Sequence, residues 1–132
     1  MAAPTHKAIY ELIKNVEGVS DIGHRKVLQT VTLPYVAHYK ISGPPTYSKD
    51  GDGRMDIERH QVSIYAGDDD SCHSIAEQVR TALNDYRGTV QVDGGESSVV
   101  IDRIRLEDEN DGFDDQDNAV YIIQDYIIRR KR

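Results

Sequence analysis

The segment "AVYIIQDYIIR", residues 119–129, constrains the fold more than any other part of the chain. Its apolar side chains form two alternating rows, one of Val120, Ile122, Tyr126 and Ile128 and the other of Tyr121, Ile123 and Ile127. Successive side chains of a β-strand point to opposite faces, so both faces of this strand need to be covered. The segment therefore predicts a central strand of a sheet, or a strand whose second face packs against a partner.

Four further segments carry strand signals. They are "YVAHYKIS" after Pro34, "MDIERHQVSIYAG", "TVQV" and "VVIDRIRLE". In the second of these, the first half is polar, whereas Val62, Ile64 and Ala66 share one face at its end, which suggests an arm that reaches past the core. In "VVIDRIRLE" we expect Val100, Ile104 and Leu106 on one face. Residues 19–33 show no helical or strand periodicity of apolar residues, which predicts a loop.

Two segments predict helices. The first begins with Thr5 as its N-cap, has apolar residues at helical spacing, and ends at Gly18. The second, "DDDSCHSIAEQVRTALNDYRG", is the clearest helix; Asp70 or Ser71 caps it and Gly88 ends it. Its apolar stripe comprises Ile75, Ala76, Val79, Ala82, Leu83 and Tyr86.

The order is therefore helix, strand, strand, helix, strand, strand, strand. It predicts an α+β fold: a mostly antiparallel β-sheet with two α-helices packed on it and an extended β-hairpin arm. The chain of 132 residues is most simply one domain, residues 1–132, and is long enough to bury a hydrophobic core without disulfides or structural metal ions. The last four residues, "RRKR", are expected to fray.

The composition excludes several classes of protein. A single cysteine, Cys72, allows no intrachain disulfide, and no apolar run approaches a membrane span. The N-terminus lacks the basic start and apolar block of a secretory signal. The net charge of −7 makes the chain a poor general binder of phosphate backbones.

The stretch "YSKDGDGRMD" raises the possibility of a calcium loop. Counting from Asp50, the third position is Asp52, but the fifth is Arg54, which cannot ligate a cation. The sixth position is Met55 rather than the glycine that such a loop needs. The stretch therefore predicts a turn between two strands, and no metal ligand is expected.

The sequence offers only weak evidence for catalytic residues. Cys72 lies in a first helical turn, where the helix dipole lowers a thiol pKa, but three preceding carboxylates oppose this effect. His73 is adjacent in sequence and so does not face it on a helix. The turn "DGGESS" lacks the lysine and following helix of a phosphate-binding loop. We expect no catalytic residue and no cofactor.

Three short motifs, taken in order, resemble the tail completion (tail terminator) proteins of long-tailed bacteriophages. They are "LPYV" at 33–36, "QVSIYA" at 61–66, which runs into a helix, and "DY" at 125–126 in the last strand. The likeness covers roughly residues 33–128. It implies a ring of six subunits, without catalytic residues, on the head-proximal end of the tail tube.

The resemblance implies partners and a location as well. Such a ring stops tube growth, joins the tail to the head stopper protein, and encounters DNA only as passing cargo. The protein would lie in the tail neck of the virion after assembly in the host cytoplasm, with no membrane contact. Alternatives are another neck or minor tail protein of similar fold, a small metal-dependent enzyme, and a host adaptor domain.

Two surfaces are candidates for contacts. The arm would meet the tail tube or a neighbouring subunit through Asp50, Asp52, Arg54, Asp56, Glu58 and Arg59. The second surface is predicted as an acidic loop over residues 107–117, with no basic residue. Its carboxylates, which would line the channel or the face of the ring and repel DNA, are Glu107, Asp108, Glu109, Asp111, Asp114, Asp115 and Asp117.

Overall fold

The computed structural model of the chain describes residues 3–24, 32–42, 55–116 and 118–131. These contain two α-helices, α1 (Thr5–Ile13) and α2 (Asp69–Leu83), and six strands. The strands are β1 (Asp21–His24), β2 (Tyr35–Ser42), β3 (Met55–Ala66), β4 (Gly88–Val92), β5 (Ser97–Asp114) and β6 (Ala119–Lys131). The predicted α+β class is confirmed.

One curled sheet contains all six strands, in the order β1-β2-β3-β6-β5-β4. Strand β6 lies between β3 and β5 and pairs with both in antiparallel fashion. The prediction of a central C-terminal strand is therefore confirmed. Strand β1 is parallel to β2, and it lies within residues 19–33, for which we predicted a loop. Its four residues pair at the edge of the sheet, and so short a strand leaves no alternation in the sequence.

Both helices pack on one face of the sheet. The side chains of β6 that face them, Ile122, Tyr126 and Ile128, are almost fully buried, as are Ile64 on β3 and Leu83 on α2. Fully burying a side chain of this kind stabilises the folded state by roughly 1.5–3 kcal/mol. The core thus lies between the helices and the centre of the sheet.

The helix ends differ from the sequence prediction. Asp68, rather than Asp70 or Ser71, caps α2, since its Oδ1 accepts a hydrogen bond from the Ser71 backbone N–H at 2.7 Å. Thr5 is the first residue of α1 and makes no cap, because Pro4 occupies the N-cap position. Gly88 begins β4 with a φ of +145° and does not end α2.

The acidic segment is mostly strand rather than loop. β5 extends through Asp114, and residues 108–114 pair with residues 119–125 of β6. The pairing shifts register between Ile101 and Arg103 and again between Leu106 and Asp108. Because of the first shift, Val99 and Ile101 take the place of the expected Val100 on the core face, whereas Ile104 and Leu106 lie on that face as expected. We name the outer part, residues 107–125, the acidic hairpin.

The C-terminus also differs from the prediction of a frayed end. β6 continues to Lys131, and Arg130 is buried with only 5% of its surface exposed. Its Nη1 donates to the Ala3 carbonyl at 2.6 Å and to the Thr5 hydroxyl at 2.9 Å. The start of α1 is thereby tied to the last strand.

Candidate functional site

The acidic hairpin presents carboxylates on both faces of the sheet. Glu109 lies opposite Gln124 and Asp111 opposite Ile122, on the face that carries the helices. Asp108 lies opposite Asp125, on the other face. Strand pairing therefore divides a run that looks uniform in sequence into two surfaces.

Glu109 belongs to the internal structure of the hairpin. One of its carboxylate oxygens, Oε2, accepts hydrogen bonds from Arg80 at 3.0 Å and from the fully buried Gln124 amide at 2.8 Å. The same amide group donates to the Ala76 carbonyl on α2 at 3.0 Å, and the Tyr126 hydroxyl donates to Gln124 Oε1 at 2.7 Å. Burial raises the pKa of Tyr126, so its hydroxyl stays a donor. This network fixes the hairpin against α2.

The remaining predicted carboxylates are less constrained. Asp108 accepts from the Glu109 backbone N–H at 2.9 Å, and Asp114 accepts from the Gln116 N–H at 3.0 Å. Within the described part of the chain, Asp111 and Asp115 are exposed and form no ion pair with a cationic side chain. Asp117 lies outside the described residues.

Glu107 joins the two predicted surfaces, because it pairs with Arg59 of β3. Both side chains are more than a third exposed, so the pair contributes no more than about 1 kcal/mol. The arm and the acidic segment, which are predicted separately from the sequence, are therefore neighbours on the sheet at this point.

The predicted arm lies partly outside the described residues, which exclude Asp50, Asp52 and Arg54. Its described part, the polar half of β3, pairs with the end of β6: Met55 lies opposite Lys131 and Glu58 opposite Ile128. Asp56 is partly exposed. These residues are thus part of the sheet.

Glu58, predicted as an arm contact, is buried instead, with 8% of its surface exposed. Its carboxylate lies 2.8 Å from His60 Nε2. Burial favours a higher pKa for Glu58, but hydrogen bonds from His60 and Thr5 outweigh it and lower the pKa. Glu58 is therefore an ionised internal partner and is not available as a surface contact.

Cys72 has the environment of a structural residue. It is fully buried, and its thiol lies 3.6 Å from the Ile64 carbonyl. Burial, together with Asp69 and Asp111, raises its pKa to about 11. His73 is exposed, so the two side chains do not form a nucleophile and base.

The fold brings together three histidines that are far apart in the sequence. The rings of His6 and His24 stack with centroids 3.9 Å apart, and His38 follows 5.5 Å from His24. They line a cavity of about 370 Å³ between α1 and the sheet edges. Burial, then the neighbouring His24 and His6, lowers the pKa of His38 to about 4. No sequence spacing marks this cluster, because its members come from three separate elements.

The described residues hold no group of three or more His, Cys, Asp or Glu side chains that could bind a metal ion. The turn at 50–53 falls outside them. None of the helices described is long and apolar enough to span a membrane.

No family model and no curated protein matches the chain. Among solved structures, it resembles a chain of a structure described as "Virion of native gene transfer agent (GTA) particle". The TM-score is 0.59, 9% of residues are identical, and the match covers 94% of this chain and 84% of that chain. At this identity, the likeness establishes a shared fold over nearly the whole length of the chain.

Proposed function

We propose that the chain is a structural protein of a phage-like virion, a tail terminator that forms a ring on the head-proximal end of the tail tube. One observation carries the proposal: the fold matches that of a virion chain over 94% of the present chain. The order of "LPYV", "QVSIYA" and "DY" supports the same class independently. In this role, the ring stops tube growth and joins the tail to the head stopper protein.

The charge distribution supports a role at the neck. Asp114 and Asp115 lie at the end of the acidic hairpin, and Asp117 follows them closely in the sequence. We propose that these carboxylates line the channel or the face of the ring, where a negative surface repels passing DNA and keeps it from adhering. Arg59 and Asp56 remain candidates for contact with the tube or a neighbouring subunit.

The test is reconstitution with the cognate tail tube protein. Electron microscopy of tubes grown with and without the chain should show a six-fold ring at one end and shorter tubes when it is present. Rings that sit on the tube without limiting its length would indicate another neck component. Failure to bind the tube at all would contradict the proposal.

The channel hypothesis has a separate test. Changing Asp114, Asp115 and Asp117 to Asn should leave ring formation intact and lower infectivity or DNA passage, because the repulsive surface is lost. If assembly and infectivity were both unchanged, these carboxylates would have no such role. Changing the exposed Glu17, Glu77 and Glu96 to Gln removes the same number of negative charges elsewhere on the surface and serves as the control.

A further inference from the structure

The acidic hairpin carries an exposed aromatic side chain on the face of the sheet that holds the helices. Phe113 is 54% exposed, and Asp111, two residues earlier on the same face, is exposed as well. Asp69 lies one helical turn before Cys72 on α2, and the Cys72 thiol lies 3.8 Å from the carbonyl of Val120, which is opposite Phe113 in the hairpin. We name these three residues the aromatic–acidic patch. An exposed aromatic ring among charges is typical of the anchor of a protein interface.

A surface of the opposite charge lies on the other face of the sheet. Register places Arg59, Ile127 and Arg105 in one row across β3, β6 and β5. The next row contains Ile57, Arg129 and Arg103. We name these six residues the cationic patch.

The cationic patch has an apolar centre, but only two of its four arginines, Arg105 and Arg129, are available, because Arg59 pairs with Glu107 and Arg103 pairs with Asp85. Ile57 is 44% exposed. Arg105 is exposed and forms no ion pair with any residue in the described ranges. Arg129 is held only by a 3.7 Å contact with Asp102. Arginine is enriched at protein interfaces because its planar group binds carboxylates in two places.

The two patches cannot meet within one molecule. They lie on opposite faces of the sheet, and along β6 their centres are about seven residues apart, which is roughly 23 Å at about 3.3 Å per residue. The opposite charges of the two patches, the apolar side chains in both and this separation together favour a head-to-tail contact between copies. Such a contact joins different surfaces of identical subunits and closes into a ring when the rotation permits.

We propose that the aromatic–acidic patch of one copy docks on the cationic patch of the next copy. Phe113 packs against Ile57 and Ile127, and Asp111 and Asp69 pair with Arg105 and Arg129. This contact deepens the ring proposed above and rests on it. The contact does not involve Asp114 and Asp115 at the end of the hairpin, which are proposed above for the channel or the ring face.

The test is a charge swap measured by sedimentation of the full chain over a range of concentrations. Arg105→Glu with Arg129→Glu should weaken self-association about tenfold or more, because like charges then face each other. Asp69→Lys with Asp111→Lys should do the same. Combining all four changes in one chain should restore association, since the charges are complementary again.

Matched controls separate this contact from an effect of net charge. Glu77→Lys with Glu96→Lys changes the charge by the same amount as the acidic-side variant, at exposed positions away from both patches. Lys7→Glu with Lys14→Glu is the control for the arginine variant. Both controls should associate like the unaltered chain, and thermal melts should show that every variant folds.

The outcomes also separate the contact from the function. Association that is unaffected by either swap, or not restored by the combination, overturns the contact, as does an unaltered chain that stays monomeric at every concentration. Tube capping by the unaltered chain is scored separately by microscopy. If the unaltered chain forms capping rings but the swap variants associate normally, the proposed function is retained and only this interface is contradicted.

Discussion

The carboxylate of Glu58 and the imidazole of His60 lie 2.8 Å apart, and both side chains are buried beneath the start of α1. They occupy alternate positions of β3 and so face the same side of the sheet. Thr5 also donates a hydrogen bond to Glu58, which links the helix to the pair. A segment that appears in the sequence to be a solvated polar arm thus contains a buried, hydrogen-bonded carboxylate–imidazole pair.

Replacing Glu58 with Ala should lower the free energy of unfolding by about 1–3 kcal/mol, because His60 and Thr5 lose their hydrogen-bond partner in a buried site. Glu58→Gln keeps an acceptor and should cost less, about 1 kcal/mol. Chemical denaturation measures both changes. Glu77→Ala, at an exposed position on α2, is the control and should be nearly neutral. Equal effects of Glu58→Ala and Glu77→Ala would contradict the internal role.

His38 makes the fold sensitive to acid. Its pKa is lowered to about 4 from an ordinary 6.5, so the unfolded chain binds a proton more readily than the folded one. The stability that the neutral His38 side chain contributes to the fold is fully present above pH 6.5 and is lost as the pH falls towards 4. Since one pH unit corresponds to about 1.36 kcal/mol, the free energy of unfolding falls by roughly 3 kcal/mol over this range.

Denaturation at a series of pH values tests this prediction. His38→Gln should flatten the fall in stability between pH 6.5 and 4, whereas the exposed His73→Gln should leave it unchanged. Glu58, whose pKa is lowered, adds a further loss at more acidic pH in both variants. An unaltered pH profile in His38→Gln would rule out His38 as the source.

Gly112 leaves space for an aromatic ring. Tyr121 lies opposite it across the hairpin, and a Cβ at position 112 would overlap the Tyr121 ring and hydroxyl. Gly112→Ala should therefore cost about 1–3 kcal/mol through overpacking. Gly67→Ala is the control, since no atom lies within 4 Å of a Cβ there. Thermal unfolding compares the two, and Tyr121→Leu should partly rescue Gly112→Ala.

Gln124 holds the acidic hairpin to α2 through its amide group. Gln124→Leu preserves volume but leaves the Tyr126 hydroxyl and the Ala76 carbonyl without partners, so it should cost about 1–3 kcal/mol. Tyr126→Phe in the same chain should recover part of the loss, because one unsatisfied group is removed. A double-mutant cycle measures this coupling; purely additive effects would argue against the network.

Local patterns were sufficient for much of the fold. The two alternating apolar rows of residues 119–129 predicted a central strand, and β6 pairs on both sides. The apolar stripe of α2 predicted a helix against the sheet, and Ile75, Ala76, Val79 and Leu83 are buried there. These signals succeed because the periodicity of a segment depends on which of its faces is covered.

Other features depend on partners that are distant in the chain. The carboxylates of 107–117 predicted a loop by composition, yet residues 107–114 form a strand because β6 supplies the backbone hydrogen bonds. The position of Glu58 and the cluster of His6, His24 and His38 likewise follow from contacts between separate elements.

The sequence alone determined the class of fold, the central strand and the balance of charge, since each is a property of local pattern or composition. Only the tertiary structure decided which charges are buried, which face of the sheet each carboxylate occupies, and where opposite charges lie relative to one another. The reason is physical: burial, pairing and register arise when distant segments meet, and a one-residue shift in register moves a side chain to the opposite face.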